Sequence, residues 1–211
     1  MITNEAQLRQ LYDQPTERAL LKQQVELDGH CLRFVALSPF CVVSTAGPSG
    51  SLVDASPRGG APGFIKAPDS RTLLIPDAGG NNRLDSLSNL LHDPRIGLLF
   101  MVPGVNETLR VNGTAKLRDE GHFKALFAGP HFHPKLVIEV SVQEAYLHCA
   151  KALMRSKLWS AEVQVQRSVL PSMNQMIHSQ LGMQPPQESQ EQMEHRFRVQ
   201  IAAEQHKASI G

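Results

Sequence analysis

The hydrophobic positions of this chain change period along its length. Between residues 4 and 22, Leu8, Leu11, Tyr12, Leu20 and Leu21 stand among charges at helical intervals, and Pro15 divides them. That spacing predicts two short amphipathic helices covering a sheet edge. Asp28 is placed to cap a helix from about Gly29 to Leu37, which Ser38-Pro39 would stop. From Phe40 the pattern becomes strand-like. Phe40 to Thr45 and Leu52-Val53 flank Gly47-Pro48-Ser49-Gly50; Gly63 to Lys66 and Arg71 to Ile75 flank Pro68-Asp69-Ser70. Ile96 to Val102 and Thr108 to Leu117 flank Pro103-Gly104-Val105-Asn106, and Lys135 to Leu147 is the last long run. Each pair reads as a hairpin. Along Thr108 to Leu117, Leu109, Val111, Gly113, Ala115 and Leu117 form an apolar face and Thr108, Arg110, Asn112, Thr114 and Lys116 a polar one. Two helices interrupt the strands. One is capped by Asn81 or Asn82 and runs through about Leu91 with Leu84, Leu87, Leu90 and Leu91 as its stripe; the other spans Asp119 to Phe127.

At least six strands joined mostly by hairpins, with helices at the margins, predict a β-rich α+β fold built on an antiparallel barrel. The chain divides into an N-terminal helical segment (1–27), a barrel domain (28–160) and a helical C-terminal extension (161–211). In the extension Met173, Met176, Ile177 and Leu181 share one helical face, residues 184–192 read as a Gln, Pro, Glu and Ser rich linker, and 193–207 form a polar helix with a thin stripe of Met193, Phe197 and Ile201. So narrow a stripe is marginal alone, and the tail is expected to lie on a neighbouring subunit or to fray.

Composition narrows the function by exclusion. With 211 residues, 41% of them hydrophobic, 19% charged, and a net charge of +1, the chain has a globular composition and no field that implies nucleic acid or membrane as a partner. The absence of a leader-like or spanning apolar run favours a cytoplasmic address. Cys31, Cys41 and Cys149 are odd in number and widely spaced, which predicts free thiols.

The candidate chemistry is anionic recognition. Asp54-Ala55-Ser56-Pro57-Arg58-Gly59-Gly60 reads as a glycine-rich cationic turn in which Arg58 presents a guanidinium fork. Gly79-Gly80-Asn81-Asn82-Arg83 reads as a helix start with free N–H groups. A phosphate suits both. The plainer alternative is that Arg58 and Arg83 are solvated or pair with Asp54 and Asp85. Thr108 and Arg110 point to one strand face and could meet one planar polar ligand, or merely pair across strands. Cys149-Ala150-Lys151-Ala152-Leu153-Met154-Arg155-Ser156-Lys157-Leu158-Trp159 gathers cations and the single tryptophan: a solvated helix whose indole fills the core, or one wall of an aromatic cofactor site. His131-Phe132-His133 puts two imidazoles on one face, but no third ligand has diagnostic spacing and no metal is expected.

Taken in order, Asp54 to Gly60, Leu74-Ile75-Pro76-Asp77, Asn82-Arg83-Leu84-Asp85-Ser86-Leu87, Asp93-Pro94-Arg95-Ile96-Gly97-Leu98-Leu99-Phe100 and Glu107-Thr108-Leu109-Arg110-Val111-Asn112-Gly113 resemble the flavin-binding split barrels related to pyridoxamine 5'-phosphate oxidase. Cys149 to Ala152 and Arg155 to Trp159 resemble one branch of that family. The resemblance covers roughly residues 28 to 160. It implies a homodimer of six-stranded antiparallel split barrels with FMN at the subunit interface, its phosphate held by Arg58 and the Asn82-Arg83 pair with Ser56 beside them. It further implies that Thr108, Arg110, Arg155, Lys157 and Trp159 lie near the flavin ring, and that the protein is an oxidoreductase on a small molecule with hydride transfer via flavin N5. Two departures stand out: Thr108 occupies the place of a glutamine, and the carboxy-terminal arginine and histidine substrate signature of the oxidases is missing. The alternative function is a non-catalytic flavin- or haem-binding module, a sensor or carrier.

Overall fold

Two short helices, α1 (Glu5–Arg9) and α2 (Glu17–Leu21), open the chain on either side of Pro15. Each starts at a side chain that accepts a first-turn N–H, Asn4 from Gln7 and Thr16 from Ala19. The computed structural model of the chain describes residues 1–77, 79–80, 82–128 and 133–205. After α2 the backbone runs beside the sheet, where Gln24 and Ala145 exchange N–H to carbonyl bonds of 2.9 and 2.8 Å. Helix α3 (Gly29–Leu37) begins where expected, with the Asp28 carboxylate accepting the Cys31 N–H at 2.7 Å, and buries Cys31 and Val35.

The strands are β1 (Phe40–Ala46), β2 (Val53–Gly59), β3 (Lys66–Asp69) and β4 (Thr72–Pro76). Helix α4 (Asp85–His92) precedes β5 (Arg95–Met101) and β6 (Thr108–Arg118), and helix α5 (Gly121–Ala125) precedes β7 (Val137–His148). They form one antiparallel sheet in the order β2-β1-β5-β6-β7-β4-β3. The described residues thus contain seven strands, within the reading of at least six but one more than the six-stranded barrel that the resemblance implies. The ladder ends at β2 and β3, which do not pair with each other.

The strand begun at Leu52-Val53 runs on through the segment expected as a cationic turn, Asp54 to Gly60, as far as Gly59. Residues 53–59 pair throughout with β1, from Ala46 opposite Val53 to Phe40 opposite Gly59. The proline and glycine that signal a turn are admitted because β2 is an edge, where a missing N–H forfeits no ladder bond on the open side. Pro68 in the opposite edge strand, β3, follows the same rule.

The face of the sheet carrying Val43, Leu98, Phe100, Leu109, Val111, Ile138 and Val140 is the core, closed by Cys31 and Val35 from α3 and Leu87 and Leu90 from α4. Burying each of the larger apolar side chains stabilises the fold by about 1.5 to 3 kcal/mol. Where β6 meets β7 the register slips between Asn112 and Gly113. Gly113 is required there, since a Cβ would stand 2.1 Å from the Ser141 carbonyl oxygen.

Beyond β7 come α6 (Lys151–Ser156), α7 (Met173–Gln180) and α8 (Gln190–Gln205). The stretch expected as a linker is partly structured. The Arg196 guanidinium grips the Glu188 carboxylate through two bonds of 2.9 Å. Ser189 accepts the Gln192 N–H, so α8 starts three residues earlier than its apolar stripe indicates. Of that stripe Met193 is buried, whereas Phe197 and Ile201 are exposed. Among the described residues no helix is long and apolar enough to cross a membrane.

Candidate functional site

Alternation along β2 turns Asp54, Ser56 and Arg58 to one face, half-buried, and leaves Val53, Ala55, Pro57 and Gly59 exposed. That face looks toward the start of α4. Ser86, buried in the first turn of α4, donates its hydroxyl to the Asp54 carboxylate at 2.5 Å, and Ser56 donates to the same oxygen at 2.8 Å. The two hydroxyl oxygens also approach to 3.1 Å, but each has one proton and both protons go to Asp54. The Ser86 bond, the Ser56 bond and the Arg58 charge together hold the Asp54 carboxyl below its usual range, against the effect of burial. Burial pushes Asp77 the other way, partly offset by Arg58 and Lys135. Arg58 therefore lies in the field of two carboxylates, yet among the described residues it makes no ion pair and its guanidinium bonds only to the Pro57 carbonyl at 3.0 Å. Arg83 does pair as the plainer reading has it, with Asp85 at 2.8 Å.

The start of α4 differs from expectation. Asn82 does not cap it, and Asn81 lies outside the described residues. The cap position falls on Leu84, with φ of 61° and no side chain accepting a first-turn N–H. Asn82 is also left-handed, with φ of 59°. Asparagine tolerates this conformation, but for leucine it costs on the order of 1 to 2 kcal/mol. The chain thus holds a strained backbone immediately before a helix whose first N–H groups have no side-chain acceptor among the described residues. Successive N–H groups in such a turn form a concavity suited to an anion.

Thr108 and Arg110 are not part of this arrangement within one chain. Arg58 stands opposite Cys41, Cys41 opposite Phe100 and Phe100 opposite Leu109, a row facing the core. Arg110 belongs to the next row, with Leu99, Val42 and Pro57, on the other face. Three strand spacings, roughly 14 Å along the sheet, also separate β2 from β6. On this second face Thr108 is opposite His148, Arg110 opposite Tyr146 and Asn112 opposite Glu144.

Of the residues after β7, Arg155 is exposed in the last turn of α6. Lys157 has a left-handed backbone and reaches Glu162 at 2.8 Å. Trp159 donates its indole N–H to the Val105 carbonyl at 2.9 Å, anchoring this segment to the turn between β5 and β6. His131 and Phe132 lie outside the described residues, and among those described no three His, Cys, Asp or Glu side chains converge to hold a metal. Cys31 and Cys41 are buried free thiols, pushed up to about 11 and about 12 mainly by desolvation, and Cys149 is exposed.

Sequence reasoning missed Ser86 and reduced Asp54 to a partner for Arg58. The strand alternation that aligns Asp54 with Ser56 was available, but nothing in the sequence pairs either with Ser86. Lys22, which reaches the Tyr146 ring from a distant segment, carries no sequence signal.

The family profile described as pyridoxamine 5'-phosphate oxidase matches residues 27–149, from the cap of α3 through the end of β7. The chain belongs to that family. The matched stretch of the pyridoxamine 5'-phosphate oxidase family contains Ser56, Arg58, Asn82, Arg83, Thr108 and Arg110, and excludes Arg155, Lys157 and Trp159. A search of curated protein sequences finds no match. Among solved structures the chain is similar to HupZ of Group A Streptococcus, at 18% identity over 57% of this chain and 93% of that one, with a TM-score of 0.46. It is also similar to General Stress Protein 26 of Bacillus anthracis str. Sterne (12%, 56% and 93%, TM-score 0.41). A third is an FMN-binding protein of Syntrophomonas wolfei (11%, 56% and 81%, TM-score 0.41). At these identities and scores the likeness carries no functional information.

Proposed function

We propose that this member of the pyridoxamine 5'-phosphate oxidase family binds FMN and acts as an oxidoreductase on a small molecule. The observation that carries the reading is the start of α4: a turn with Asn82 and Leu84 in the left-handed region, first-turn N–H groups that no side chain among the described residues accepts, and the Arg58 guanidinium on the neighbouring strand face. These donors fit a phosphate. Ser56 and Ser86 direct their protons to Asp54, so in this reading they fix the strand against the helix, and Arg58, Arg83 and the backbone N–H groups meet the anion. Each charge-assisted contact contributes roughly 1.5 to 3 kcal/mol net.

The opposite placement of Arg58 and Arg110 supports a two-chain site. In a homodimer of split barrels one chain supplies the phosphate donors and its partner the Thr108 and Arg110 face, so a single FMN contacts both. A bound flavin supplies the hydride chemistry. Arg110 and Arg155 would supply cations beside a bound flavin, which would raise its tendency to accept electrons, and Trp159, already anchored at Val105, would limit access of water. Lys157 contributes only if it leaves Glu162. We place the protein in the cytoplasm, a reducing setting that its free thiols suit.

The test is an absorbance spectrum of the protein as purified, followed by heat release and mass identification of the chromophore. A two-banded flavin spectrum with released FMN is expected. A single intense haem band, or a colourless protein that refuses added FMN, overturns the reading.

A further inference from the structure

We propose that Lys22, Arg110 and His148, gathered round the Tyr146 ring, form a subsite for a small oxyanion, the carboxylate or phosphate of the substrate. Lys22 Nζ lies 5.1 Å and Arg110 Cζ 5.7 Å from the centre of that ring, and the His148 ring lies 4.9 Å away at a tilt of 47°. Two cations on one aromatic ring repel each other unless an anion joins them. The chain offers a carboxylate in the same array, Glu144, but commits it elsewhere. Its two oxygens accept the neutral amides of Gln23 at 2.7 Å and Asn112 at 2.8 Å. Among the described residues neither Lys22 nor Arg110 makes an ion pair; Lys22 donates to the Leu147 carbonyl at 3.0 Å and Arg110 reaches Asn112 at 3.5 Å.

The groups facing His148 are Tyr146 on its own strand, Thr108 opposite it on β6, and the cations Lys22 and Arg110. Burial first, then those two charges, hold the imidazole below its usual value. An oxyanion seated between the cations reverses the electrostatic part of that depression. Its binding is therefore coupled to proton uptake by His148, and by linkage its affinity rises as pH falls through the imidazole range. Only the assignment of the oxyanion to the substrate rests on the flavin reading.

The experiment titrates inorganic sulfate, whose charge is constant over the range, into the full-length protein. The His148 ring signals are followed by NMR and assigned by their loss in His148→Gln. Sulfate is expected to raise the His148 pKa and to bind more tightly at lower pH. Lys22→Met is expected to weaken sulfate binding roughly ten-fold while leaving FMN affinity unchanged; Lys22 is exposed and the Gln24 backbone bridge to Ala145 does not depend on its side chain. A His148 pKa that ignores sulfate, or wild-type sulfate affinity in both Lys22→Met and Arg110→Met, overturns the proposal. So does loss of the sulfate response on loading FMN, which would assign the cations to the flavin and not to its substrate. A colourless protein with an intact sulfate response sinks the flavin reading alone.

Discussion

Ser86 donates to Asp54 at 2.5 Å, tying the first turn of α4 to the edge strand β2 through a hydroxyl that is itself buried. Without this bond the Asp54 carboxylate keeps the Ser56 hydroxyl and the Ala55 backbone N–H as donors among the described residues. Ser86→Ala is expected to lower stability by about 1 to 2 kcal/mol in urea denaturation. The pH dependence has a defined sign. The folded pKa of Asp54 lies below its usual value, so its contribution is present above the ordinary carboxylate range and is lost as pH falls through the folded pKa. Asp54→Asn should flatten that acid limb; an acid limb identical to wild type would show that Asp54 has no part in it.

Arg58→Ala should weaken FMN binding by ~10-fold or more in a fluorescence titration, with the unfolding midpoint little changed. Arg83→Ala should show a smaller loss, because its ion pair with the exposed Asp85 must already be traded for the phosphate contact. Unchanged affinity in both variants removes the phosphate from the start of α4.

Gly113→Ala tests the register of the sheet. The added methyl group would meet the Ser141 backbone oxygen at 2.1 Å, and neither strand can yield without breaking the ladder. A loss of about 3 kcal/mol or more, or insoluble expression, is expected. Gly29→Ala is the control, since its Cβ would meet nothing within 4 Å.

Light scattering of the flavin-loaded protein should give a particle of about twice the 23.3 kDa chain mass. A loaded monomer overturns the two-chain site, since Arg58 and Arg110 lie on opposite faces of the sheet and one chain cannot offer both to one ligand. Because Trp159 is the single tryptophan, its fluorescence reports the same event, and FMN should quench it.

The parts of the fold legible in the sequence are those set by local chemistry. Asp28 caps α3 as read, Pro15 separates α1 from α2, and the alternation in β6 matches its buried and exposed positions. The segment 53–59 was misread because proline and glycine speak for a turn unless the strand is known to be an edge, and strand order is a long-range property. The start of α4 was misread for a related reason. Asparagines offer a cap, but the backbone at Asn82 and Leu84 is left-handed, which no side-chain pattern announces. Within the candidate site the arginines were visible as residue types, whereas the opposite facing of Arg58 and Arg110 follows only from the register of four paired strands.

The prolines of the two outermost strands bear on how copies of this protein can meet. Pro57 in β2 and Pro68 in β3 leave neither margin of the sheet with an uninterrupted series of backbone donors. Growth by strand addition, the route to open-ended fibres, is thereby blocked at both ends. A dimer of this protein would have to form through side chains on the broad surfaces, where a two-fold arrangement would close on itself and stop.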